Sequence, residues 1–257
     1  MHIVVTGGAS GIGAACVDEL STAGHTVTSL DLALPREPIV EVAYELVDVG
    51  DAAAVGQAIT SAASREPIDG LVNSAGIRGG DERAQAAERE ARRAVLPAEE
   101  RRRLSIRAFE AIDTASFERM MRVHVLGTFN TMQAVLPQML DRERGAIVNI
   151  SSMCGIIGCE VAPHYSAAKA AVIGMTKSIV RDVSRSSVRA NVVAPGYIRT
   201  PMQGDIDADR AQALFDQIPM GRFGEVGEVA SLVCYLLGPT SSYLTGQVIS
   251  PSGGQVL

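Results

Sequence analysis

A single-domain α/β fold, a doubly wound parallel sheet with helices on both faces, is predicted by two features of this 257-residue chain. Short runs rich in β-branched residues alternate with longer stretches of helical periodicity, the pattern of strands joined by helical crossovers. A glycine-rich turn, Thr6-Gly7-Gly8-Ala9-Ser10-Gly11-Ile12-Gly13, follows the first apolar run and opens a helix. No internal repeat or linker divides the sequence, so residues 1–257 read as one domain. Single α/β domains of about 200 to 250 residues are common.

The strands are read in order from Ile3-Val4-Val5, Thr26 to Leu30, Leu71 to Asn73, Ala146 to Ile150 and Val188 to Val193. A last strand falls near Val248-Ile249. Helical periodicity runs from Ala14 to Ala23, from Phe117 to Leu140 and from Tyr165 to Val183. Residues from about 78 to 112 (Arg78 to Ile112) form a helical insertion rich in Arg, Glu and Ala, all good helix formers. Pro97 divides it, and Ala98-Glu99-Glu100 make a new first turn. Two roles stand open for this insertion: a lid or subunit contact, or a solvated decoration.

A net charge of -6 gives no support to nucleic-acid binding. The apolar run at the N-terminus stops at Thr6-Gly7-Gly8, too short for a secretory signal, and no uncharged apolar stretch reaches membrane-spanning length. No membrane partner and a cytoplasmic location are therefore expected. Cys16, Cys154, Cys159 and Cys234 show neither a C-x-x-C pair nor zinc-ligand spacing. Free thiols in a reducing compartment, and no metal, are the expectation.

Glycines between a strand and a helix let the backbone approach a pyrophosphate, and the helix N-terminus favours negative charge there. The turn of Gly7, Ser10, Gly11, Ile12 and Gly13 thus predicts a Rossmann-like dinucleotide site. The second strand ends at Asp31, about 20 residues past the turn, where a carboxylate accepts hydrogen bonds from ribose hydroxyls and repels a 2′-phosphate. Ala9 and Ser10 bring no basic side chain to attract that phosphate. NAD is favoured over NADP, with Arg36 as the one opposing feature. Tyr165 and Lys169 lie four residues apart on one helix face, so the ammonium can lower the phenol pKa from its usual value near 10. Ser152, just past a strand, offers a hydroxyl to hold a substrate oxygen.

On these motifs the chain resembles the short-chain dehydrogenase/reductase family. The family's T-G-x-x-x-G-x-G matches Thr6 to Gly13, and Asn73-Ser74-Ala75-Gly76 is an N-N-A-G-like element with Ser74 in the second place. Its Ser, Tyr and Lys match Ser152, Tyr165 and Lys169, and its P-G with a following threonine matches Pro195-Gly196 and Thr200. The acidic residue that the family carries after its own third strand matches Asp48, followed by Val49. The resemblance spans nearly all of the chain outside the insertion.

It implies hydride transfer between a secondary alcohol and its ketone, with a hydrophobic or cyclic substrate. Tyr165 would be the acid/base, Lys169 would hold the nicotinamide ribose, and Ser152 would orient the carbonyl. Asp48 and Val49 would contact the adenine, while Asn73, Ala75 and Gly76 would line the cofactor's path. Ile198 and Thr200 would hold the carboxamide, and Pro195 and Gly196 would also bind the cofactor. Met202 to Ile218 would form the substrate loop. Met153, Cys154, Cys159, Glu160, Val161 and Tyr197 would line the substrate pocket by position, whereas His164 and His25 would not be catalytic. A homotetramer would pair through the helices around Met120, Met121, Phe129 and Met132, and around Val172, Ile173, Met175 and Ile179. The first thirty residues are also similar to bacterial hydroxysteroid dehydrogenases, although that region builds the cofactor site rather than the pocket.

Two departures stand out. The family's V-N-x-x-G is here Val123-His124-Val125-Leu126-Gly127. His124 keeps the backbone carbonyl but changes the side chain, so it is read either as a member of the proton relay or as a packed helix histidine. The second departure is the insertion between Gly76 and His124. Two other functions fit the same sequence: a cofactor-binding regulatory protein without turnover, and an epimerase or dehydratase with retained NAD.

Overall fold

In the computed structural model, which describes residues 1–80, 96–97, 100, 108–159, 162–183, 185–203 and 208–256, the first apolar run is strand β1 (His2–Thr6). It leads into α1 (Gly11–Thr22), β2 (Thr26–Asp31), β3 (Ala43–Leu46), α2 (Ala52–Arg65) and β4 (Ile68–Asn73). Past the insertion come α3 (Ala108–Ala111), α4 (Thr114–Met121), a π-helical turn (Arg122–Leu126) and α5 (Gly127–Asp141). Then follow β5 (Gly145–Ile150), α6 (Cys154–Ile157), α7 (Pro163–Val183), β6 (Val188–Val193), α8 (Ala208–Phe215), α9 (Val226–Leu237) and β7 (Val248–Ile249).

The seven strands form one sheet in the order β3-β2-β1-β4-β5-β6-β7, every pair parallel. The five residues of β1 are all buried, because helices cover both faces of a parallel sheet. Successive side chains serve opposite faces. Val5, Val72 and Val148 pack with Cys16, Val17 and Leu20 of α1 and Val229, Val233 and Leu236 of α9. Val4, Leu71 and Ile147 pack with Val55 and Ile59 of α2, Met132, Val135 and Met139 of α5, and Val183 of α7. Each fully buried aliphatic side chain of this kind contributes roughly 1.5–3 kcal/mol.

Strand order reverses between β1 and β4, which are neighbours in space but not in sequence. Their carboxyl ends, Thr6 and Asn73, are register partners. A ligand crevice opens outside such a reversal because the flanking loops diverge to opposite faces.

The expected Phe117–Leu140 helix is three segments. The π-turn, closed by the Gly127 N–H on the Arg122 carbonyl, falls on His124. Single π-turns inside α-helices frequently mark functional sites. Of the helical insertion, Ala108–Ala111 is observed as helix; residues 81–95, 98–99 and 101–107 lie outside the described residues. Met120, Met132 and Val172, expected on twofold faces, are buried in the chain's own core, whereas Phe129 is exposed. Among the described residues no helix is long and apolar enough to cross a membrane.

Candidate active site

The carboxyl ends of β1, β4, β5 and β6 bring together four loops that are far apart in sequence. Gly7 has φ +70° and Gly11 φ +56°, left-handed conformations that glycine adopts without a Cβ clash. A Cβ on Gly7 would sit 2.7 Å from the Ala75 backbone, so the glycine turn and the Asn73–Gly76 loop touch. Thr6 secures the contact: its Oγ1 accepts from the Ser74 and Ala75 N–H groups at 3.2 and 3.1 Å. A Cβ on Gly13 would meet the Gly7 carbonyl at 2.0 Å, so only glycine lets α1 start this close to β1.

Helix α1 begins at an extended Ser10 whose side chain makes no cap, and its first turn carries no acidic residue. Its N-terminal amides and partial positive charge thus face the crevice, as an anionic pyrophosphate requires. A Cβ on Gly11 would lie 3.7 Å from Thr200 Cβ, which puts the turn after β6 across from the glycine turn. Asp31 ends β2 with Oδ2 accepting from the Ala9 N–H at 2.9 Å and Oδ1 from Leu32 N–H at 2.7 Å. The carboxylate therefore both shapes the glycine turn and places a negative charge at its edge. These residues fit a dinucleotide.

Not every predicted contact is a free side chain. Asn73 donates to Asn149 Oδ1 at 2.8 Å and accepts from Thr131 Oγ1 at 2.6 Å, while Asn149 donates to Thr176 Oγ1 at 2.8 Å. This buried network ties β4, β5, α5 and α7 together and fixes the Asn73 side chain beneath the crevice. Asp48 is paired with Arg122 at 2.7 Å and accepts from the Gly50 N–H, and the Val49 carbonyl accepts from Asn130 Nδ2 at 2.8 Å. Gly196 donates to the Pro251 carbonyl at 3.1 Å, and Pro195 accepts from the Met153 N–H at 2.9 Å. Ile198, buried, bridges to Gly224. Beside it lies a cavity of about 160 Å³, lined by Tyr197, Arg222, Glu228 and Ser252 among others and by none of Ser152, Tyr165 or Lys169.

Strand β5 delivers Ser151 and Ser152, and α7 delivers Tyr165 and Lys169. Lys169 is buried, and its Nζ donates to the Ile150 carbonyl at 2.9 Å. Nζ lies 5.6 Å from the centroid of the half-buried Tyr165 ring. Burial pushes the Lys169 ammonium down to about 7, because the charged form loses water. Ser151 Oγ locks the same helix by donating to the Lys169 carbonyl at 2.9 Å. Ser152 Oγ is buried and accepts from the Cys154 N–H at 3.1 Å.

His124 is buried edge-on to Tyr165, with ring centroids 5.4 Å apart and planes at 87°. Its Nε2 lies 3.2 Å from the Ile77 nitrogen and 3.0 Å from the Ile77 carbonyl oxygen, pairing with one or the other according to tautomer. Its Nδ1 is buried without a hydrogen-bond partner among the described residues. Burial first, and the nearby Lys169 second, push its pKa down to about 3, so the ring is neutral near pH 7. The imidazole replaces the family's asparagine by filling the space over Gly76, where a Cβ would meet it at 2.6 Å.

One expectation is corrected. Cys154 and Cys159 are not free thiols; they are joined in a disulfide with Cα atoms 5.1 Å apart, within the usual span. Spacing rules had no purchase here, since the pair closes across a turn rather than through C-x-x-C. Cys16 and Cys234 are free, and burial raises both thiol pKa values. Glu160 and Val161 lie outside the described residues. Sequence reasoning also left Thr6, Ile77 and Arg78 without roles. The Arg78 guanidinium donates to the Met202 carbonyl at 2.8 Å, linking the root of the insertion to the start of the substrate loop.

Comparison with known proteins gives two family-model matches. The short chain dehydrogenase model matches residues 1–96, and the enoyl-(acyl carrier protein) reductase model matches residues 100–255. The chain is 33% identical over 264 residues to 3-oxoacyl-[acyl-carrier-protein] reductase FabG of Thermotoga maritima, covering 99% of this chain and 97% of that protein. It is 34% identical over 274 residues to sorbitol-6-phosphate 2-dehydrogenase of Klebsiella pneumoniae, covering 98% and 95%. Levodione reductase superposes with a TM-score of 0.83 at 29% identity, covering 99% and 96%. ElxO, solved with NADP bound, superposes with a TM-score of 0.83 at 26% identity, covering 99% and 98%.

Proposed function

The chain belongs to the short-chain dehydrogenase/reductase family of oxidoreductases, and from that premise we propose that it interconverts a secondary alcohol and its ketone with NAD. The observation that carries the reaction is the Tyr165–Lys169 pair, with Lys169 Nζ anchored on the Ile150 carbonyl beside the tyrosine ring. The observation that carries the choice of NAD is the Asp31 carboxylate at the rim of the glycine turn.

The amides at the start of α1, with Gly7, Gly11 and Gly13, would hold the pyrophosphate. Asp31 would take the adenosine ribose, Asp48 and Val49 the adenine, and Ile198 and Thr200 the carboxamide end. When bound, the nicotinamide ring accepts or gives the hydride. The protein handles the proton and the orientation. Ser152 Oγ receives the Cys154 N–H, and its own hydroxyl hydrogen is left to donate to the substrate oxygen. Tyr165 Oη takes the alcohol proton during oxidation and returns it during reduction. The Lys169 ammonium favours the phenolate, and a nearby anionic cofactor would in turn favour that ammonium over its neutral form.

His124 belongs to this machinery as a positioning residue. Its neutral ring props the Tyr165 ring and clamps Ile77, so it acts through the tyrosine. A small alcohol or ketone with an apolar body, cyclic or hydroxysteroid-like, is the proposed substrate class. A cytoplasmic location and a homotetramer are parts of the same reading, the exposed Phe129 on α5 being one apolar side chain available to a twofold contact.

The test is a turnover panel: cyclohexanol, a vicinal diol, a 3-hydroxysteroid and 3-hydroxybutyryl-CoA, each with NAD and with NADP. At least one compound should react, with kcat/KM at least roughly tenfold higher for NAD. Tyr165→Phe should lower kcat by about 10² or more. Retained NAD with no turnover on any compound would refute the dehydrogenase reading and favour an epimerase or a regulatory protein.

A further inference from the structure

Both ends of the disulfide touch the substrate side of the site. Cys154 lies two residues past Ser152 and gives its N–H to Ser152 Oγ. Cys159 gives its N–H at 3.0 Å to the hydroxyl of Ser166, the residue after Tyr165. Between the two cysteines, α6 lies flat on the catalytic helix. A Cβ on Gly155 would stand 2.7 Å from the Lys169 carbonyl carbon, so this turn has no slack against the backbone of the catalytic lysine. The Gly155 N–H also closes on the Ser152 carbonyl at 2.9 Å. One short covalent loop thus touches the serine, the helix position beside the tyrosine, and the lysine.

The loop is open to reagents. Both cysteines are half-buried, while Ile156, Ile157 and Gly158 between them are exposed. Gly158 has φ +80° and ψ 163°, an extended positive-φ conformation that glycine adopts without a Cβ clash, just before Cys159. A five-residue separation keeps the two thiols close when the bond opens, which favours reversible closure. In a reducing compartment, such as the cytoplasmic location proposed above, a disulfide that forms is usually catalytic or redox-sensing rather than a permanent brace.

We propose that Cys154–Cys159 is a redox latch on the substrate pocket, binding alcohol well when closed and weakly when open. This rests on the dehydrogenase reading for its effect on turnover. Opening follows ordinary exchange. A thiolate of a small dithiol attacks one Sγ, breaks the S–S bond and forms a mixed disulfide while releasing the other cysteine as thiolate. The dithiol's second thiolate then closes to a cyclic disulfide and releases the remaining cysteine. Both protein thiolates take protons from water below their pKa. Two electrons pass from the dithiol to the pair, and exchange with oxidised glutathione reverses the change. The open turn no longer holds the amides of residues 154 and 159 on Ser152 and Ser166, so substrate binding must order it.

The experiment uses the full chain, closed with oxidised glutathione or opened with dithiothreitol, then alkylated with iodoacetamide and mapped by mass. Cys154 and Cys159 should alkylate only in the opened form. KM for the reacting panel compound should rise roughly five- to tenfold on opening, the scale of re-ordering one or two side chains at binding, with KM for NAD unchanged. The Cys154→Ser/Cys159→Ser double variant should match the opened enzyme and ignore dithiothreitol. Hydrogen exchange supplies a readout without turnover: amides 154 and 159 should exchange about tenfold faster when open, while those of the glycine turn stay the same. If no panel compound reacts, the dehydrogenase reading fails and hydrogen exchange alone decides whether the pair governs this turn. Failure of glutathione to close the pair, or unchanged KM or unchanged exchange with the pair shown to be open, overturns the latch.

Discussion

Replacing Lys169 with methionine should abolish activity and yet stabilise the protein at pH 6, with the gain fading to about zero by pH 9. Burial lowers the Lys169 pKa from the usual 10.5 to about 7. Each pKa step of one is worth about 1.4 kcal/mol, so below pH 7, where both folded and unfolded chains carry the ammonium, its burial costs about 5 kcal/mol. Between pH 7 and 10.5 the unfolded chain binds the proton and the folded chain releases it, so stability climbs with pH. At pH 6 the penalty is still nearly complete, and at pH 9 about 2 kcal/mol remains. Methionine keeps the aliphatic stem and removes the charge, but it leaves the Ile150 carbonyl without the Nζ donor, a loss of roughly 1–3 kcal/mol at either pH. The difference in unfolding free energy between Lys169→Met and the parent should therefore shrink by about 2–3 kcal/mol from pH 6 to pH 9. Urea unfolding at the two pH values, followed by circular dichroism without cofactor, measures it, and other titrating groups cancel in the comparison. A difference constant within about 0.5 kcal/mol would show that the lysine keeps its proton throughout and would refute burial as the dominant influence on it.

The other predictions concern cofactor choice and the histidine. Asp31→Asn keeps an acceptor for the Ala9 N–H but removes the charge, so NADP should gain on NAD by roughly tenfold in kcat/KM, about 1.4 kcal/mol. An unchanged cofactor ratio would deny the carboxylate that role. His124→Asn restores the family's residue and removes the ring that props Tyr165. We expect kcat to fall by roughly tenfold through tyrosine misplacement, with KM for NAD unchanged. Because burial keeps the imidazole neutral, with a pKa of about 3, the midpoint of the kcat–pH profile should stay in place. A moved midpoint would make the imidazole a proton carrier instead.

Much of the candidate site was legible because its chemistry is local. The glycine turn, Asp31, and the Ser152, Tyr165 and Lys169 spacing are short patterns whose residues each carry a stated physical requirement. Gly13 illustrates the limit of that legibility: the motif asks for glycine, and the structure supplies the reason, a 2.0 Å approach to the Gly7 carbonyl. Asn73 illustrates the opposite case. Its place in a motif suggested the cofactor path, and the structure adds a second duty, the side-chain amide bonds to Asn149 and Thr131. Partners 76 and 58 residues away cannot be read from a local pattern.

Alternation of β-branched runs with helical periodicity was enough to determine the doubly wound sheet, because strand and helix periods are properties of neighbouring residues. The order β3-β2-β1-β4-β5-β6-β7 and the crevice at its reversal came from the tertiary structure. So did the π-turn at His124, its ring against Tyr165, the dry setting of Lys169 and the bond between Cys154 and Cys159. The physical reason is common to all of them. Burial, ring contacts and covalent closure depend on which distant segments share a volume, and that is decided only when the sheet and its helices pack together.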